Sequence, residues 1–396
     1  MSGRQMSAEM GPGDMRVPAT GGGGRLPFVD LARGAAVLFM VQGHTLAALM
    51  APEYNGNAFA QGWLFLRGLT SCTFLMLSGF SFSLATSRRW TEFRTPGRRV
   101  LRRLARYAML VTIGYSMRFP ARSFAQLATV TPEQWQTFAV VDVLQLVGLS
   151  LLLLQAGVWL LRSRRAFMIA AFLGAAGVVA ATPLVSRVAQ ASSLPIFLAA
   201  YLSTAKGSLF PAMPWAAYIL FGAGLGIWYA GRDGGRVRGD AAWPFLAGGA
   251  AMVALGTLVY AVPWSPYGAV DFWTVSPGLF LLKAGSVLAL LGAAIRLMRR
   301  VKSLPTVVTA LSRESLLVYL VHVVLLYGSA WTVGLGQSVG ARLSPGPAIG
   351  FIAVLLTAMT LMAWTWYECK RHLGSVASAV RVGAVSLVLY AMIFQV

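Results

Sequence analysis

Acidic residues, histidine and cysteine are all scarce in this chain of 396 residues, which holds 12 Asp and Glu, 3 His and 2 Cys. Cys72 falls inside one apolar run and Cys369 at the end of another, a placement that gives no disulfide framework and no cysteine-based metal site. Acids and histidines do not recur at ligand spacing either, so no metal is expected. Only 11% of the residues are charged, against about 25% in an ordinary soluble domain. That excludes a soluble globular fold. The apolar stretches are continuous rather than alternating, which excludes a membrane β-barrel. A secretory signal is also missing. Residues 1–26 are polar and glycine-rich, ending in GGGG at 21–24, and read as a disordered cytosolic tail. No internal repeat is visible.

What the chain has in abundance is hydrophobic residues, at 57%, in runs of membrane-spanning length from end to end. They predict an all-α, polytopic transmembrane bundle, a single domain over 27–396. Eleven spans are expected, near 27–50, 62–86, 101–118, 138–161, 166–183, 208–230, 243–262, 276–296, 315–335, 347–367 and 377–395. Of the 33 lysines and arginines, 23 then fall on the side of the amino-terminal tail and 5 on the other. The positive-inside bias puts the N-terminus in the cytosol and, with an odd span count, the C-terminus outside. The net charge of +21 therefore reflects topology, and no nucleic-acid partner is expected. Eight arginines between Arg88 and Arg106 form the densest cluster. They suit topology and anionic lipids, with one or two left to contact a nucleotide phosphate.

The most informative segment is the first span, RLPFVDLARGAAVLFMVQGH at 25–44. At about 100° per residue, Arg33 and His44 fall within about 20° of each other, and Asp30 lies about 60° from Arg33. A charge inside a bilayer costs roughly 2.5 kcal/mol or more, so such a stripe normally faces a cavity, a partner or a substrate. Asp30 and Arg33 either pair with each other to enter the membrane or serve a substrate, with Asp30 orienting Arg33.

Measured from the cytosolic end, His44 lies about 25 Å along its helix, near the outer surface. His322 lies seven residues into the span at 315–335, about 10 Å deep. In unbroken, untilted spans the two imidazoles cannot act on one substrate atom. Asp142 and Gln145 open the fourth span at the depth of His44, where Asp142 either orients the base, binds an acceptor hydroxyl, or is a helix N-terminal acid stabilised by the dipole. Arg67 reads as a donor to an acceptor or thioester oxygen, or as a snorkelling side chain. Arg313, Tyr319 and His322 sit at the cytosolic end of the ninth span, with an interhelical hydrogen bond as the plain alternative for His322. Lys283 needs a partner, for which Asp271 or substrate are the candidates.

These residues carry a family resemblance. Arg25, Asp30, Arg33, Gly34 and His44 match an Arg followed by a D-x-x-R-G core and a His eleven residues after the second Arg. FLMLSGFSFSLA at 74–85, DVLQLVGLSLL at 142–152, PAMPWAAYILFGAGLG at 211–226 and SRESLLVYLVH at 312–322 follow in matching order. Together they resemble the transmembrane acyltransferase superfamily, which includes the catalytic region of heparan-α-glucosaminide N-acetyltransferase, its bacterial relatives and acyltransferase family three. Eukaryotic heparan-type members tend to carry Asn at the place of His44, and the loop APEYNGNAFAQGW at 51–63 supplies no substitute histidine. The bacterial branch is the better guide.

The resemblance implies a multi-pass enzyme of the inner (plasma) membrane. It would move an acyl group, acetyl above all, from cytosolic acyl-coenzyme A to a hydroxyl or amine of an extracytoplasmic glycan or glycolipid. His44 would act as general base or, alternatively, carry the acyl group, with Arg33 and Asp30 beside it. Arg67, Asp142 and Gln145 would bind the acceptor, and Arg313, Tyr319 and His322 the coenzyme. Membrane lipids are expected partners, and a homodimer is left open. A transporter or flippase would use the same polar stripe as a permeation path.

Overall fold

The computed structural model describes residues 26–191, 194–233, 241–262, 265–268, 271–301 and 303–394. The tail with Arg25, and the basic loop residues Arg236, Arg238 and Lys302, lie outside them. The described residues are helical, with one isolated bridge between Met50 and Leu343 and no β-sheet. The principal helices are α1 (Pro27–Leu49), α2 (Ala58–Arg88), α3 (Arg98–Ser116), α4 (Val143–Leu160), α5 (Arg164–Ala191) and α6 (Ala212–Asp233). They continue with α7 (Ala242–Ala261), α8 (Pro277–Met298), α9 (Thr306–Arg313), α10 (Ser315–Tyr327), α11 (Pro345–His372) and α12 (Gly374–Phe394). Short helical turns fill the connections.

Every expected segment holds a helix, and local sequence explains the starts. Proline opens α1, α8 and α11, where its missing N–H costs nothing and its φ is already helical. Asn57 caps α2 by accepting from the Ala60 N–H. Among the described residues six helices, α2, α4, α5, α7, α8 and α11, are long and apolar enough to cross a membrane. The bent pair α9–α10 makes seven if counted as one span. The expected eleven therefore exceed what length and apolarity alone support. α3 shows why, because Arg98, Arg99, Arg102, Arg103 and Arg106 occupy its first half.

Two glycine-lined crossings hold the bundle. A side chain at Gly79 of α2 would meet the backbone of Ile219 in α6, and one at Gly222 or Gly226 of α6 would meet the carbonyls of Met76 or Phe80. Gly222 and Gly226 are four apart, so both sit on one face, and backbones approach as in small-xxx-small membrane contacts. α7 and α8 cross the same way through Gly249, Gly256, Gly278 and Gly285. One large apolar cluster joins α2, α4, α5, α6 and α8, and a second joins α1, α10 and α11.

The feature that positions the site is a break in the ninth span. α9 and α10 meet at a bend of 71°, with Glu314 at the corner (φ −99°, ψ 17°). Glu314 is buried, and its carboxylate lies 2.5 Å from the Lys370 ammonium of α11. Beyond α10 the chain returns over the end of α1. There Ala51 N–H donates to the Leu343 carbonyl (3.0 Å) and Leu343 N–H to that of Leu49 (2.9 Å).

Candidate active site

The polar stripe of α1 forms two clusters, one at each end of the helix. At the first, Ser312 Oγ donates to Asp30 Oδ1 (2.7 Å), and Arg33 Nη2 donates to Ser81 Oγ of α2 (3.2 Å). Both α1 residues line a cavity of about 680 Å³ closed by α2, the α9–α10 corner and the end of α11. Five cations reach its wall: Arg33, Arg88, Arg313, Lys370 and Arg371, against the two acids Asp30 and Glu314. Arg313 Nη1 donates to the Tyr367 hydroxyl (3.1 Å), which aims its guanidinium along the rim. Planar, fixed guanidiniums suit phosphate oxygens.

At the second cluster, His44 Nδ1 lies 2.9 Å from His322 Nε2. The rings are nearly parallel at 13°, with centroids 5.1 Å apart. His322 is wholly buried, while His44 is partly open. Tyr327 presents its ring edge to His44 and its hydroxyl donates to the His44 carbonyl (3.3 Å). Arg67 folds across Gly43, where a Cβ would strike its side chain, and donates to the Gly43 carbonyl (3.0 Å). Asp142 and Arg67 lie close enough to interact electrostatically with His44, and Asp142 likewise with Tyr319.

Four sequence expectations need correction or refinement. His44 and His322 are in direct contact, not at different depths. The ninth span begins at Thr306 rather than 315 and is broken, so His322 sits five residues before the end of α10, as His44 sits five before the end of α1. For the same reason His322 stands beside His44, with Tyr319 against the His322 ring, and of the three residues expected at the coenzyme only Arg313 lines the cavity. Gln145 is fully buried. Its Oε1 accepts from Asp142 N–H and its side chain packs on Gly114, which makes it part of the cap of α4. The D-x-x-Q spacing of a capping box signals this in the sequence.

Asp142 both caps α4, accepting from Val143 N–H (2.8 Å), and pairs with Arg118 (3.1 Å). Lys283 lies against the Trp215 ring, 5.8 Å from its centroid, whereas Asp271 caps a helical turn through Trp273 N–H. Of the arginine cluster, Arg88 reaches the cavity, Arg99 pairs with Glu92, and Arg103 stacks between Phe82 and Phe93. Ser81, Ser312, Tyr367 and Lys370 line the cavity without having been singled out. Ser81 and Ser312 lie within the family-like segments at 74–85 and 312–322, and Lys370 and Arg371 read as membrane-flanking charge, whereas nothing pointed to Tyr367.

An all-helical bundle rich in membrane-length apolar helices, with a cationic cavity at one end of α1 and an imidazole pair between α1 and α10 near the other, defines a multi-pass membrane protein with two polar clusters inside it. The sequence model of the heparan-alpha-glucosaminide N-acetyltransferase catalytic domain matches residues 25–261. The chain belongs to that family of membrane acetyltransferases. The match runs from the start of α1 to the end of α7, so α9–α11 and His322 lie beyond it. No curated protein and no solved structure matches the chain.

Proposed function

We propose that the protein is an integral-membrane acyltransferase that moves an acetyl group from cytosolic acyl-coenzyme A to a hydroxyl or amine of an extracytoplasmic glycan or glycolipid. The observation that carries this reading is the spacing of the two clusters. Arg33, in the cationic cavity, and His44, in the imidazole pair, are eleven residues apart on one helix, about 16 Å. The reach of an extended pantetheine arm is of that order. The cavity cations would hold the coenzyme phosphates, and the thioester supplies an activated acyl carbon.

His44 serves as general base. Its imidazole takes the proton of the acceptor O–H or N–H as the oxygen or nitrogen bonds to the acyl carbon, and returns it to the departing thiolate as the carbon–sulfur bond breaks. Arg67 and Tyr327 stand where they can orient the acceptor. The test is thiol release by purified protein given several acyl-coenzyme A species against a panel of amino and neutral sugars, methyl α-glucosaminide included. No thiol release from any donor argues for a transporter instead, and release that no acceptor stimulates is thioester hydrolysis and argues against a glycan acceptor.

Arg33→Ala and Arg313→Ala are each expected to raise the donor KM about tenfold or more with kcat within a few-fold, since a hydrogen bond to a charged group contributes about 1.5–3 kcal/mol. A fall in kcat at constant KM would place those residues at the chemistry rather than at the phosphates.

The topology that accompanies this reading has eleven crossings, a cytosolic N-terminus and an outer C-terminus in the plasma membrane, which puts the cavity on the cytosolic side. Cys369, half-exposed beside Lys370 and Arg371, tests it without an added reporter. A membrane-impermeant maleimide should label Cys369 in inverted vesicles and leave it unlabelled in right-side-out ones. Buried Cys72 should resist both. Labelling from the outside would reverse the orientation.

A further inference from the structure

We propose that His322 is a positioning residue that fixes the tautomer of His44 and so makes Nε2 the basic atom; the kinetic part of this rests on the reading of His44 as base. The chain of hydrogen bonds has only one direction. His322 Nδ1 lies 2.6 Å from the Val318 carbonyl oxygen, one turn back on α10. A carbonyl only accepts, so His322 carries its proton on Nδ1. In a neutral ring that leaves Nε2 as the acceptor. The group 2.9 Å from it, His44 Nδ1, must then be the donor. His44 therefore keeps its lone pair on Nε2, the atom on the far side of the ring from His322.

The consequence for catalysis is specific. When His44 Nε2 gains the acceptor proton, the ring becomes an imidazolium whose Nδ1–H already points at a neutral nitrogen acceptor. The hydrogen bond becomes charge-assisted at the moment the charge forms. His322 thus takes the part that a carboxylate plays behind the histidine of a serine hydrolase, which is to hold orientation and tautomer without itself touching substrate. A full carboxylate in that place would cost more to bury in this apolar setting. The neighbours suit the role. Tyr319 packs T-shaped against the His322 ring, Tyr327 packs T-shaped against His44, and His322 is wholly buried.

Two measurements decide it. The first is independent of turnover: solid-state nitrogen spectroscopy of ring-labelled protein in lipid, with signals assigned from His44, His322 and His372 single variants. His44 should carry its proton on Nδ1 in the wild type and in His322→Gln, whose amide oxygen replaces the acceptor. In His322→Leu it should move toward the Nε2–H form that free imidazole side chains prefer. A wild-type His44 protonated on Nε2 overturns the proposal.

The second is steady-state transfer from acetyl-coenzyme A to methyl α-glucosaminide. His322→Leu should lower kcat about 100-fold with both KM values nearly unchanged, since misplacing a catalytic tautomer removes a large part of the base's contribution. His322→Gln should recover much of that loss. The double variant with His44→Ala should be no slower than His44→Ala alone, because a residue that acts only through His44 has nothing further to lose. Additive losses, or a leucine variant with wild-type kcat, overturn it. Wild-type protein that shows the expected tautomer and no transfer counts against the proposed function, not against the assignment of His322.

Discussion

His44→Ala should lower acyl transfer by about 10²–10⁴-fold, the range that a positioned general base contributes, while donor KM changes little. The split follows from the distance between the clusters. On the proposed reading the donor's phosphates bind Arg33 and its neighbours at the other end of α1, about 16 Å away, and truncating the His44 imidazole does not reach them. The same variant separates two chemistries. If His44 is only a base, acid-quenched wild-type protein exposed to acetyl-coenzyme A without acceptor should show no added acetyl mass. If the imidazole carries the acyl group, that mass appears on the wild type and is absent from His44→Ala. Retained transfer by a variant of normal size-exclusion profile would remove His44 from the mechanism altogether.

The second large effect is on the scaffold. Gly222→Leu is expected to reduce folded, monodisperse protein in detergent extracts at least several-fold. The reason is steric: the added side chain would meet the Met76 carbonyl, which is backbone and cannot rotate away. Overpacking against flexible side chains costs about 1–3 kcal/mol, and here α2 and α6 would have to part instead. With no hydrophobic force between helices in lipid, close packing is what joins them. Gly350→Leu is the control, since a side chain at that position of α11 meets nothing within 4 Å, and its yield should match wild type. Equal yields for the two variants would mean that the α2–α6 crossing is not the stabilising contact.

The helices were legible because an apolar run long enough to span a bilayer has few other uses. The run at 347–367 lies within α11 (Pro345–His372) for that reason. Asp30, Arg33 and His44 were legible as a stripe because helical geometry alone puts them on one side. The imidazole contact was not. It depends on the break at Glu314, and the local sequence SRESLL has neither proline nor glycine to announce one. The corner is held from 56 positions away, by Lys370 of α11 on the buried Glu314 carboxylate, a tertiary cause that no window of sequence contains. The cavity was half legible: its arginines could be counted, but their convergence required the same bend. Gln145 shows the opposite failing, since its capping pattern was present and its depth drew attention to function instead.

The contacts of α1 with the broken span, and of its end with the chain just before α11, fall at three heights. Ser312 meets Asp30 at one end, His322 meets His44 further along, and Leu343 exchanges backbone bonds with Leu49 and Ala51 at the other. Together they act as a register lock. A slip of α10 by one residue along α1 would turn His322 through about 100° and shift it by about 1.5 Å, and would pull on the Ser312–Asp30 contact in the same broken span. The alignment of the two rings is therefore not left to the rings. It is inherited from a serine and a pair of peptide groups that take no part in the chemistry, and reacting groups have to be held to within about 0.5 Å.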